Sequence, residues 1–131
     1  MGRMSREKGA KAERELASLL CEHLGDVTRN LAQTRDGGHD LIGVGPFAVE
    51  VKRRERLDIA GWWRQACGQA NESGLVPALA YRQSRKPWRF VVPLGVFVGN
   101  VAPWDQQAVA TVEVDGFVLL VRERIGKDKA A

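Results

Sequence analysis

Two carboxylates and an ammonium group are spaced around a short apolar turn in the stretch "GGHDLIGVGPFAVEVKRR", residues 37–54. Side chains on a strand alternate faces, so Glu50 and Lys52 share one side of segment 47–53, while Val49 and Val51 take the other. If the chain reverses through three residues, with Gly43 opposite Phe47, then Asp40 faces Glu50 with Cβ atoms about 4.5 to 5.5 Å apart. A two-residue turn offsets the acids by one position, which weakens the pairing without removing it. Carboxylates that close repel, and one must keep its proton unless a cation lies between them. A divalent ion resolves the conflict. All-oxygen donors suit Mg²⁺, with Mn²⁺ as a substitute, and the backbone carbonyl of Val51 and several waters complete an octahedron. Such an ion acidifies a bound water, and Lys52 orients that water or braces the charge of the transition state. The chemistry is phosphodiester hydrolysis. A Glu-x-Lys taken alone is no more than an exposed ion pair; the reading rests on its combination with further acids and with basic clusters.

The hairpin needs a scaffold. Residues 5–24 read as a helix that starts at Ser5 and stops at Gly25. At about 100° per residue, Ala12, Leu16, Leu19, Leu20 and Leu24 form one stripe, with Arg14 opposite and Glu13 between the directions of Leu20 and Leu24. A carboxylate in a core-facing stripe is costly without a partner, which marks Glu13. Glu15 falls outside the stripe and is expected in solvent. Strands are expected at 27–31, 39–43 and 47–53, a helix at 58–73 with Ile59, Trp62, Trp63, Ala66 and Ala70 inward, and strands in "LVPALAYR" and "WRFVVPL". "GVFVGNV" suits either a short helix or a strand. "TVEVDGFVLLVRE" reads as a terminal hairpin turning at Asp115-Gly116, and "GKDKAA" as a solvated tail. The order predicts a mixed β-sheet flanked by helices, with a right-handed parallel crossover through the second helix.

The 131 residues fit one domain, and no apolar run is long enough for a bilayer. The basic N-terminus lacks the apolar block of a secretory signal, so a cytoplasmic protein is expected, in a bacterial, archaeal or phage-infected cell, with Cys21 and Cys67 as packed, reduced thiols. Net charge is +4. The cations cluster: Arg3, Arg6, Lys8, Lys11 and Arg14 at the start, Arg53, Arg54 and Arg56 after the hairpin, and Arg82, Arg85, Lys86 and Arg89 around a later turn. Nucleic acid is the natural partner of such clusters, because each neutralised phosphate releases condensed counterions.

"REKGAKAERELASLL", "GGHDLIGV" and "FAVEVKRR" together resemble the archaeal-type Holliday junction resolvases and their phage relatives, within the PD-(D/E)XK nuclease superfamily. The resemblance spans roughly the first 90 residues in element order. It implies a restriction-endonuclease-like fold and an active site of Glu13, Asp40, Glu50 and Lys52, with Glu13 as a metal-side acid. The usual Pro-Asp appears here as His39-Asp40. Members often carry a glutamine on the helix after the lysine strand; Gln65 and Gln69 both qualify, and Gln65 is favoured. The resemblance further implies a two-fold dimer acting on four-way junctions, with Arg3, Arg6, Lys8, Lys11, Arg14, Arg35, Arg53 and Arg54 on the DNA. Trp88, Phe97, Val98 and Trp104 are candidates for the dimer surface, though core packing explains each taken singly. A restriction-like, repair or single-strand-processing nuclease, and a non-cutting DNA-binding module, stay open as rivals. His39 falls on the face opposite Asp40, and Cys21 with His23 lacks the second ligand pair that zinc requires.

Overall fold

A computed structural model describes residues 2–31, 39–98 and 105–130, with side chains over 9–31, 39–98 and 105–124. The elements run α1 (Gly2–Leu24), β1 (Thr28–Arg29), β2 (Leu41–Ile42), β3 (Phe47–Arg53), α2 (Ile59–Ser73), β4 (Val76–Arg82), β5 (Arg89–Pro93), β6 (Val109–Glu113) and α3 (Val114–Ala130). A single 3-10 turn, Leu94–Val96, follows β5, so "GVFVGNV" is neither a regular helix nor a strand over its described part.

All six strands form one sheet in chain order. Every neighbouring pair is antiparallel except β3 and β4, which run parallel, with α2 as the crossover between them. Asp58 caps α2 by accepting from the Gly61 N–H at 3.2 Å. Helix α2 lays Ile59, Trp62, Trp63 and Ala66 against Leu79, Tyr81 and Val91 on one face of the sheet. The other face meets Ala12, Leu16 and Leu20 of α1 and Phe117 and Val121 of α3, over Val49, Val51, Phe90 and Val92. Alternation along β3 thus sends its valines toward α1 and α3, and Glu50 and Lys52 toward the α2 face, level with Leu79 and Tyr81.

The C-terminal hairpin expected from the sequence is not formed. Residues 109–113 are a strand paired to β5, but Val114 starts a helix that runs to Ala130, into the segment taken as a tail. The β-branched residues favour a strand locally; burial overrides them, because Phe117, Val118, Leu120 and Val121 recur at helical spacing and are all buried. Phe117 stacks on Phe90 at 4.3 Å between ring centroids and tilts against Phe47 at 5.4 Å. Removing that ring costs about 3 to 5 kcal/mol by the usual aromatic-to-alanine scale. Gly116 is not a hairpin turn; a Cβ there would stand 3.3 Å from the Val112 side chain, so the missing side chain lets α3 fold closely onto β6. Strands β1 and β2 are two residues each, shorter than expected, and α1 begins at Gly2 rather than Ser5. Trp88 is in the core, Phe97 and Val98 are exposed, and Trp104 lies outside the described residues. Cys67 is buried but Cys21 is exposed, contrary to the expectation of two packed thiols; both are free. Among the described residues no helix is long and apolar enough to cross a membrane.

Candidate active site

The turn after β2 decides which acids meet. Gly43 adopts φ 91° and passes the Asp26 carbonyl so closely that any Cβ would collide with it. Residues 44–46 then close the reversal, with the Phe47 N–H donating to the Val44 carbonyl at 3.1 Å. Leu41 pairs with Val49, which places Asp40 across from Glu50. The Asp40 N–H donates to the Val49 carbonyl at 2.8 Å, and its Oδ2 accepts from the Val51 N–H at 2.7 Å. Because β2 is so short, the Asp40 side chain takes the β3 donor that a longer strand would have paired. A residue's N–H and C=O leave a strand toward the same edge, so the Val51 carbonyl lies on that side as well.

Asp40 and Glu50 are 7% and 4% exposed, an unusual depth for two carboxyls. Burial pushes the Asp40 pKa up to about 8, helped by the charge of Glu50 and opposed by the Val51 N–H. Burial also raises Glu50, against the pull of Lys52, whose Nζ stands 3.5 Å from Glu50 Oε1. Glu50 Oε2 is buried with no hydrogen-bond partner among the described residues. Glu13 acts on both carboxyls through its charge, although its own carboxylate is turned to Arg29 Nε at 3.2 Å.

These features fit a hard cation. Among the described residues no three acidic, histidine or cysteine side chains form a closed ligand cluster. Each carboxylate instead faces a protein donor: Asp40 the Val51 N–H, Glu50 the Lys52 ammonium, Glu13 the Arg29 guanidinium. An orphaned oxygen on Glu50 beside a carboxyl held in its neutral form is a place where a dication relieves an electrostatic debt. Asp40, Glu50 and the Val51 carbonyl supply oxygen donors of the type Mg²⁺ or Mn²⁺ takes, and Glu13 stands on the flank.

The remaining candidates are placed unequally. Gln65 is exposed, whereas Gln69 is half-buried and its Oε1 has no partner among the described residues. Lys11, Arg14 and Arg54 are exposed and Arg53 is half-buried, with Nη2 3.5 Å from Ser84 Oγ. The side chains of Arg3, Arg6 and Lys8, and all of Arg35, lie outside the described residues. His39 is half-buried, and burial lowers its pKa. Glu15, expected in solvent, is part-exposed and ion-paired to Arg82 at 2.9 Å.

Sequence reasoning missed Asn30. It is 8% exposed, its N–H donates to the Asp40 carbonyl at 2.8 Å, and its Nδ2 donates to the His39 carbonyl at 3.0 Å. The signal available was an asparagine at the end of a predicted strand, too common to single out. Asn30→Ala removes the clamp on the backbone that aims Asp40, and a buried carbonyl losing its donor costs about 1 to 3 kcal/mol. A melting temperature lowered by several degrees, with a raised Mg²⁺ requirement for cleavage, is the expected result; wild-type values in both measurements would remove Asn30 from this role.

No curated protein matches the sequence. The fold is similar to that of Hjc, a Holliday junction resolvase from the archaeal hyperthermophile Archaeoglobus fulgidus, with a TM-score of 0.50 and 22% identity over 86% of this chain and 88% of that one. That likeness is one of architecture, a mixed six-stranded sheet flanked by helices in the restriction-endonuclease-like manner. The family model of phage putative PDDEXK endonucleases matches residues 4–116, a span that takes in all but the first two residues of α1, the acid-bearing hairpin, the crossover helix and the six strands among the described residues. With most of its length accounted for in this way, the chain belongs to the phage PDDEXK endonuclease family and is a PD-(D/E)XK nuclease of Hjc-like fold.

Proposed function

We propose that the protein is a divalent-metal-dependent DNA endonuclease that resolves branched DNA, nicking four-way junctions as a two-fold dimer with Mg²⁺, or Mn²⁺ in its place. The observation that supports this most directly is the pair of buried carboxyls, Asp40 opposite Glu50, with the Lys52 ammonium 3.5 Å from Glu50. The bound cation supplies an acidified water and neutralises phosphate charge. Asp40 and Glu50 hold it, and the Val51 N–H keeps Asp40 from rotating away. Lys52 steadies Glu50 and faces the charge that grows on the phosphate, where a fixed ammonium in a half-buried setting acts more strongly than in water. Glu13, released from Arg29, would add a third oxygen donor.

Junction selectivity is supported by the likeness to a resolvase and by exposed cations flanking the site, and is tested by substrate choice. Four-way junction, flap, linear duplex and single strand are incubated with and without Mg²⁺. Paired symmetric nicks in the junction, far faster than cuts in the other forms and absent without metal, are the expected result. Equal cutting of all forms would point to a restriction-like, repair or single-strand-processing nuclease. Binding without any cutting would point to a DNA-binding module. For the dimer, Phe97 and Val98 offer apolar surface, at 46% and 37% exposure.

A further inference from the structure

The turn between β4 and β5, residues 83–88, carries cations that the site above does not use. Beside it lies a cavity of about 250 Å³, walled by Leu57, Tyr81 and Pro87 on its apolar side and by Arg82, Lys86 and Arg89 on its charged side. No acidic side chain lines it. Arg82 is fixed in place, 2.9 Å from Glu15 and with its guanidinium 5.6 Å from the centre of the Trp88 ring. Lys86 is exposed and makes no ion pair among the described residues, and Arg89 faces Glu113 at 3.6 Å on an open edge. These two cations can turn toward a ligand at small cost, since exposed ion pairs are worth little.

The rim is built rather than loose. Glu55, at the end of the β3 segment, accepts from the Ser84 N–H at 3.1 Å and from the Ser84 hydroxyl, and Gln83 Nε2 donates to the Glu55 carbonyl at 2.8 Å. Glu55 is thereby occupied by the turn. Position matters most: in the parallel register Lys52 lies beside Tyr81 and Arg53 beside Arg82. Register partners on adjacent strands share a face about 4.8 Å apart, so the Tyr81 wall stands one strand from the Lys52 ammonium. A DNA strand with one phosphate at Lys52 has this surface within reach of its neighbouring nucleotides.

We infer that the cavity is a nucleotide subsite for the DNA strand beside the scissile bond, with Lys86 and Arg89 on a phosphate and Tyr81 and Pro87 against the apolar faces of the sugar and base. A cationic groove joined to an aromatic wall is the combination that grips a strand without reading its sequence. The inference rests on the reading of the protein as a DNA nuclease.

The test measures binding in EDTA, where nothing is cut, by fluorescence anisotropy of a labelled four-way junction and a matched linear duplex. The Lys86→Ala/Arg89→Ala protein is expected to bind about tenfold more weakly than wild type, with the slope of log Kd against log salt reduced by about 1 to 2. A charge-matched Arg64→Ala/Arg122→Ala protein, altered at exposed positions away from the cavity, should bind as wild type does. Methylphosphonates placed one phosphate at a time then locate the contact: the neutralisation that weakens wild type should cost the Lys86→Ala/Arg89→Ala protein nothing more. Equal losses in the two double variants, or additive losses at every phosphate, would overturn the subsite. Since no cleavage enters these readings, a failure of catalysis or of junction preference shows up separately, in the substrate comparison.

Discussion

Replacing Asp40 with asparagine is expected to abolish DNA cleavage and, at the same time, to raise the melting temperature of the metal-free protein. Both effects have one cause. The Asp40 carboxyl is buried beside Glu50, its pKa is raised to about 8, and its ordinary value is 3.8. In the folded protein it holds a proton that the unfolded chain has already lost above pH 4, so the contribution to folding is fully favourable only at acid pH. Stability falls as pH rises from about 4 through about 8 and levels off beyond, where both states are ionised. At about 1.4 kcal/mol per pH unit the ceiling on this penalty is several kcal/mol, enough to move the melting temperature by five degrees or more. Asparagine stays neutral, still offers an oxygen to the Val51 N–H, and escapes the penalty. The gap between variant and wild type should therefore widen from pH 4 to pH 8. Cleavage should drop by at least about 10³-fold, the equivalent of losing some 4 kcal/mol of transition-state stabilisation. Mn²⁺ should raise the melting temperature of wild type but not of the variant, as binding to the folded state alone dictates. In wild type, cation binding displaces the Asp40 proton, so the Mg²⁺ concentration needed for cleavage should fall as pH rises toward about 8. An Asp40→Asn protein that cuts normally, or melts below wild type at pH 8, would end the assignment.

Lys52→Ala is the second large effect. The ammonium is 15% exposed and 3.5 Å from Glu50 Oε1. Its removal takes away the strongest influence opposing burial at Glu50, whose pKa the Glu13 charge also raises, so the carboxyl takes up a proton at a higher pH than in wild type. Cation binding should then weaken, and recover in part as pH is raised. Cleavage should fall by about 10² to 10³-fold, the range for loss of one preorganised charge at a developing anion. Junction affinity should change by less than about threefold, because one cation among many contributes little to phosphate neutralisation. A rate within threefold of wild type at saturating Mg²⁺ would remove Lys52 from the chemistry.

The sequence announced the core of this arrangement because a strand has a period of two: once Glu50 and Lys52 were assigned to one strand, their common face followed. A turn was legible from Gly43, Gly45 and Pro46, though not whether it used two or three residues, and the parallel crossover was legible from a helix between two strands. What escaped was decided by contacts distant in sequence. Asp115-Gly116 carries the local signature of a hairpin, yet Phe117 finds Phe90 and Phe47 on the sheet, and that burial outweighs the turn preference. Asn30 is inconspicuous until β1 and β2 are paired, because its partners are backbone carbonyls nine and ten residues away in the chain. Gln65 and Gln69 lie one helical turn apart on the same side of α2, so periodicity alone does not choose between them; Gln69 carries a buried oxygen with no partner among the described residues.

The brevity of β2 has a further consequence. Among the described residues, a strand of two residues leaves its longer neighbour with amide groups that it does not pair, and unpaired amides are a template on which other chains can aggregate by adding a strand. Here the first such group, at Val51, is sealed by the Asp40 carboxyl, and the edge beyond it carries Lys52 and Arg53. The same charged side chains that suit the molecule to cutting a polyanion thus also discourage its sheet from growing into a fibril.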